Sequence, residues 1–207
     1  LLVAIGIEGR SEFGDVSVAN AGSIAADGVY GGAVGIQAYS GMGDASASNT
    51  GQVHADSAYG TAIGVTSYSV MGTAKVTNSG MIEATGHFGG YGIAAQSEYG
   101  DVMVTNSGDV MATSPDTAFG ILASAYGNVT INNSGDVMAI AVGDYASVAA
   151  VQMGSLHGTA TLNNSGTLSA DAPLEGKVAV LGSDGVEVIN NTGDIYGALV
   201  MLGGNDR

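Results

Sequence analysis

The sequence contains no cysteine and no tryptophan, and only 2 prolines in 207 residues. Without cysteine there is neither a disulfide framework nor a thiolate metal site. Basic residues are scarce: 4 Lys and Arg stand against 19 Asp and Glu, a formal net charge of -15. So few cations cannot neutralise many phosphates, and no nucleic-acid partner is expected. Charged residues make up 11% of the chain and hydrophobic ones 45%, which excludes a disordered acidic tail. Collagen is excluded by the scarcity of proline and the absence of a three-residue glycine period. No apolar run reaches the roughly 18 residues of a membrane-spanning helix, so this segment is not expected to insert into a bilayer. The opening Leu1-Leu2-Val3 shows no basic n-region of a signal peptide.

What is abundant is glycine, 35 residues, and an internal repeat. An Asn-x-Gly triplet recurs with its Asn at Asn20, Asn49, Asn78, Asn106, Asn133, Asn164 and Asn191, at intervals of 29, 29, 28, 27, 31 and 27 residues. Three short segments keep the same order around each triplet. The first runs into the Asn and carries Val18, Ala47, Val76, Val104, Ile131, Leu162 and Ile189 two places before it. The second follows the glycine with Ile24, Val53, Ile82, Val110, Val137, Leu168 and Ile195, then a column of Ala ending in Gly197. The third carries Ile7, Ile36, Val65, Ile93, Ile121, Val151, Val180 and then Val200, preceded by glycine or alanine from Gly6 to Ala179. Period-two alternation marks each segment as a half-buried strand.

Three strands per repeat, without helical periodicity anywhere, predict an all-β chain wound as a parallel β-helix. It is read as a single domain over 1–207, with about seven coils of 27–31 residues stacked about 4.8 Å apart. Right-handedness is expected from the chirality of parallel crossovers. A two-layer sandwich is disfavoured, because hairpins would not hold one residue type in register at this period. Glu187 falls where the first strand otherwise carries Val or Ala, and a bulge is expected there.

The Asn column is expected at a tight corner, where an amide satisfies backbone groups and tolerates a left-handed conformation, and where stacked amides bond one another as a ladder. Asn132-Asn133-Ser134 and Asn190-Asn191-Thr192 also match a glycosylation acceptor pattern, but the turn explains the Asn better. Phe13, Met42, Met71, Tyr99, Tyr126 and His157 form a second corner stripe, expected to be a packed ladder rather than a ligand platform. Length varies between the second and third strands, as in Asp27 to Gly32, Thr113 to Thr117 and Ile140 to Ser147. Such loops often carry specificity in solenoids. Leu1 to Ser11 read as the last strand of a preceding coil, and neither end looks capped. The chain is therefore read as a fragment of a longer repeat protein, or as one that self-associates along the solenoid axis.

Chemistry is sparse. A β-helix enzyme acting on acidic polysaccharides needs carboxylates and a base on one exposed face. Lys75 with Glu98 and Asp101 is the only approximation, and a surface ion pair explains it better. Glu8 and Arg10 share a face, but Gln37, Tyr39, Thr66 and Tyr68 above them build no cluster. Of the histidines, His54 pairs with Glu83 one coil above, His87 lies in a loop and His157 at a corner, so no imidazole metal set is expected. No cofactor is expected; calcium is a weak option where like charges stack, at Asp15 with Asp44 or Asp109 with Asp136. Apolar residues in outward positions, Met103, Met111, Leu122 and Met138, mark a possible contact surface.

The repeated phrase Val-x-Asn-Ser-Gly-x-Ile/Val-x-Ala followed by Gly-Ile-x-Ala-x-Ser, as in Val76 to Ala84 and Gly92 to Ser97, resembles the passenger domains of bacterial autotransporters and related haemagglutinin-like adhesins. The resemblance spans the whole chain. It implies export to the outer-membrane surface and a role in adhesion, autoaggregation or biofilm, with host or neighbouring cell surfaces as partners. The reading is thus a non-enzymatic extracellular structural or adhesive solenoid. The alternatives are a self-assembling surface fibre or layer subunit, and a carbohydrate-active β-helix with its active coils elsewhere.

Overall fold

The computed structural model describes residues 3–143, 146–173 and 176–207. Among them all regular structure is β, in three parallel sheets of eight, seven and seven strands. Each coil contributes one strand to each sheet in turn. The first coil does so with Ala4–Ser11 (sheet 1), Val16–Asn20 (sheet 2) and Ser23–Gly28 (sheet 3). The seventh repeats this with Val178–Leu181, Val186–Asn191 and Asp194–Tyr196, and Ala198–Val200 begins an eighth. The architecture is therefore a parallel β-solenoid of about seven turns with three strands per coil.

The apolar columns read from the repeat are the core. In sheet 1, Ile36, Val65, Ile93, Ile121, Val151 and Val180 lie directly above one another and are fully buried. Sheet 2 adds Val76, Val104, Ile131 and Leu162, and sheet 3 adds Val53, Ile82, Val110, Val137 and Leu168. Each such side chain withdrawn from water is worth about 1.5–3 kcal/mol, and the gain exists only because a neighbouring coil covers it. The glycine column has a steric cause. A Cβ on Gly35, Gly64, Gly92 or Gly120 would lie 2.2–2.4 Å from a methyl of the sheet 3 column, so sheets 1 and 3 approach as closely as backbone allows.

Two expectations are corrected. Val200 does not sit above Val180: a register shift pairs Val180 with Leu199 and Leu181 with Val200. The chain omits the loop between sheets 3 and 1 and turns at Gly197 (φ 142°), where a Cβ would meet Ala179 N and Lys177 O at 2.8 Å. Nor is there a bulge at Glu187. Its strand stays in register, Ala160 under Glu187 and Leu162 under Ile189, and Glu187 points inward with no exposed surface. The corner before it explains why. Between sheets 1 and 2, coil six uses the six residues Met153 to Gly158, and coil seven the four residues Gly182 to Gly185. In coil six the Ser155 hydroxyl accepts from Gly158 N at 2.8 Å, and in the shorter corner the Ser183 hydroxyl accepts from Gly185 N at 3.1 Å. Glu187 is the acceptor for that corner, as Gly127 O is for Ser155, accepting from Ser183 N at 3.2 Å and Ser183 Oγ at 2.7 Å.

Candidate functional site

The Asn column forms one continuous ladder. The Nδ2 of each amide donates to the Oδ1 of the next, Asn20 to Asn49 and on to Asn191, at 2.7–2.9 Å. Each Nδ2 also donates to the carbonyl two residues on, as Asn106 does to Gly108 O at 2.8 Å. Asn49 to Asn164 are buried and Asn191 is exposed. The expected left-handed conformation is absent: among the described residues no non-glycine φ is positive. Asparagine is here for its hydrogen bonds, which answer the corner's backbone groups.

A second amide ladder escaped the sequence reading. Asn163 Nδ2 donates to Asn132 Oδ1 and Asn190 Nδ2 to Asn163 Oδ1, both at 2.8 Å, on the outer face of sheet 2. Its donors point down the stack, opposite to the inner ladder. The signal was the doubled Asn-Asn at 132–133, 163–164 and 190–191. The asparagines of the two acceptor patterns, Asn132 and Asn190, are these outward ones and not the turn residues. Serine makes a further ladder between sheets 1 and 2. Ser40, Ser69 and Ser97 each accept from an amide three residues on and donate to a carbonyl of the coil below, at 2.7–2.9 Å.

The acidic residues are engaged in similar work. Asp15 Oδ1 accepts from Asp44 N at 2.9 Å, Asp44 Oδ1 from Thr73 N at 2.7 Å and Asp101 Oδ1 from Asn128 N at 2.6 Å. Backbone N–H groups of the next coil therefore answer the stacked charges at Asp15 and Asp44. Asp136 opens its strand on sheet 3 and Asp109 lies just before the strand beneath it, both exposed. Among the described residues no three His, Asp or Glu side chains converge as a metal site. The ion pair expected of Lys75 does not form. Lys75 lies beside Met103 on sheet 2, Asp101 binds Asn128, and Glu98 accepts from the Tyr68 hydroxyl. That bond holds the Tyr68 phenol protonated, its pKa pushed up to about 12. His54 pairs with Glu83 as expected, Nδ1 to Oε2 at 3.3 Å. Arg10 turns to Glu12 at 3.0 Å and lies over the Tyr39 ring.

The four outward apolar residues do not form one surface. Met111 and Met138 are neighbours on sheet 3, Met103 is on sheet 2 and Leu122 on sheet 1. The corner stripe is a ladder only in its upper part, where Tyr99, Tyr126 and His157 stack at centroid distances of 6.1 and 4.3 Å. Phe13 is 88% exposed, and Met42 and Met71 are also largely in solvent. Of the variable loops, Asp144 and Tyr145 lie outside the described residues, as do Leu1 and Leu2. In the lower coils the loop carries a stack of Tyr30 on Tyr59 at 5.5 Å, continued by His87 and Phe88.

One recess on the lateral surface was not read from the sequence. It is a trough of about 550 Å³ on the outer face of sheet 1, running from Glu98 in coil four to Asp184 in coil seven. Its cause is a taper in side-chain size along one outward column. Tyr39 and Tyr68 fill the lower coils, Gln96 follows, and Ser124, Gly154 and Ser183 leave the face open. Leu122 and Gln152 flank it on one side, Tyr126 and Leu156 on the other. Comparison with known protein families, curated proteins and solved structures finds no match to this chain.

Proposed function

We propose that the chain is a non-enzymatic structural and adhesive solenoid of a bacterial cell surface, working by presenting long repetitive faces. The observation that supports this most is the employment of its polar side chains. Its Asn, Ser and Asp residues bind the backbone or the like residue of the adjacent coil. A catalytic carboxylate needs a free oxygen facing substrate and a partner that tunes it. Here the design favours a stiff rod over a reaction centre. Beads carrying the chain should attach to bacterial or host cells and clump more than beads carrying an unrelated acidic protein. Chain-dependent release of reducing or unsaturated ends from uronate polysaccharides would overturn the reading.

A second reading, a self-assembling fibre or layer, is favoured by the outer face of sheet 2. Its columns hold Ser46, Ser48, Thr77, Thr105, Thr130, Thr161 and the outer Asn ladder, and no acidic side chain points outward there. With a net charge of -15, this is the face on which two copies repel least. Sedimentation across a hundredfold concentration range should then show oligomers that Thr105→Glu with Asn163→Asp disperses. A monomer throughout would dismiss it.

A further inference from the structure

The trough on sheet 1 has features that select a ligand. Its long axis follows the stack, so an occupant must be linear and about as wide as one ring. Both walls are apolar in part, Leu122 on one side and Tyr126 with Leu156 on the other, whereas Ser124 on the floor and Gln152 beside Leu122 offer a hydroxyl and an amide. That combination suits a pyranose, which has an apolar C–H face and a rim of hydroxyls. An extended peptide is poorly served, because the trough lies on the face of a sheet whose backbone is already paired and offers no free edge for strand addition. Charge decides the rest. Glu98 stands at one end, held by the Tyr68 hydroxyl, and Asp184 at the other, with no cation lining the space between. The two are separated by three coils, about 14 Å.

We propose that this trough binds a short run of amino sugars carrying free ammonium groups, with the sugar faces on Leu122, Tyr126 and Leu156 and the ammonium groups at Glu98 and Asp184. The proposal rests on the adhesive reading and names the ligand chemistry of one face of it. A carboxylate at each end of a neutral channel on a strongly anionic protein repels uronate chains and attracts polycationic ones. Neutral sugars would gain the wall contacts but no charge-assisted bond at Glu98 or Asp184.

The test is calorimetric titration of the whole chain with a glucosamine tetramer, its fully N-acetylated counterpart, a uronate tetramer and tetralysine. The glucosamine tetramer should bind, with affinity that falls as salt rises, and should bind at least about tenfold more tightly than the other three. Ser124→Tyr should abolish binding by filling the trough. It should still fold, because Tyr39 and Tyr68 occupy the same column in lower coils. The exposed Asp184→Asn should weaken binding without changing thermal unfolding, and Glu98→Gln should weaken binding while also loosening the contact with Tyr68. No binding of the glucosamine tetramer, equal binding of the acetylated tetramer or tetralysine, or unchanged binding by the Ser124→Tyr chain would overturn the proposal. Beads carrying the parent chain separate it from the adhesive reading: attachment to cells without binding of the glucosamine tetramer leaves adhesion standing and removes the trough.

Discussion

Glu187 and Gly182 share one space in the core of the seventh coil. A Cβ built on Gly182 would lie 3.1 Å from Glu187 Oε2 and 2.9 Å from Met201 Sδ, so the carboxyl fills the volume that Met153 occupies one coil below. Glu187 Oε1 is bonded to Ser183, while Oε2 is buried without a partner. The two positions should therefore be coupled. Gly182→Ala alone should destabilise the chain by about 1–3 kcal/mol through overpacking. In a Glu187→Ala background the same change should cost much less, a coupling of about 0.5–3 kcal/mol in a double-mutant cycle of denaturant unfolding. Additive effects would show that the side chains do not compete for that space.

The core column makes a sharper prediction. Ile93 is fully buried between Val65 and Ile121. Ile93→Asp places an unpaired charge there and should cost more than about 4 kcal/mol, fraying the middle coils. Gln37→Ser, on the outer face of the same sheet, should change stability by less than about 0.5 kcal/mol. Thermal unfolding followed by far-ultraviolet circular dichroism compares them directly.

The inner amide ladder is tested at Asn106. Its amide bonds Gly108 O, Asn78 and Asn133, all in buried surroundings. Asn106→Ala strands those partners and should cost about 1–3 kcal/mol. Ser107→Ala loses one hydrogen bond of 3.4 Å at an exposed position and should cost less than half as much. Equal losses would mean that the column reflects only a turn preference.

Tyr68 gives a pH prediction. Its hydrogen bond to Glu98 raises the phenol pKa from 10.0 to about 12, with desolvation adding to the effect. The protonated phenol is the form favoured by folding, so its contribution to stability is complete below pH 10 and is lost as pH climbs from 10 towards 12. In a phenolate absorbance titration, one of the nine tyrosines should lag the others. Glu98→Gln should bring it back towards its ordinary value. A titration unchanged by that substitution would sever the link between the two residues.

The core was legible because solenoid physics writes it as columns: one residue type recurs wherever a neighbouring coil must cover it, as at Ile36, Val65 and Ile93. The Asn ladder was legible for the same reason, although its cause is hydrogen bonding and not a left-handed backbone. Glu187 was misread because a single inward acid looks like an error of register, until the shortened corner at Gly182 and Ser183 is seen to need an acceptor. The trough escaped because it arises from absent volume. Nothing in Ser124 or Gly154 taken singly signals a site; only their position above Tyr39 and Tyr68 does. The partners of Asp15, Asp44 and Asp101 were equally hidden, since a side chain bonded to the backbone of another coil leaves no mark on the residue types.

The hydrogen bonds of all three sheets and of both amide ladders run along the solenoid axis. Tension between the two ends of the rod therefore loads every interface between coils alike, and the terminal coils, covered on one side only, yield first. Such a rod does not snap as a unit. It should peel one turn at a time at modest force, each turn releasing about 90–110 Å of chain, and rewind when slack returns, because the coil beneath still presents the edge on which the next one forms. Stretched by its two ends, the molecule should behave as a shock absorber whose stroke is set by its number of turns.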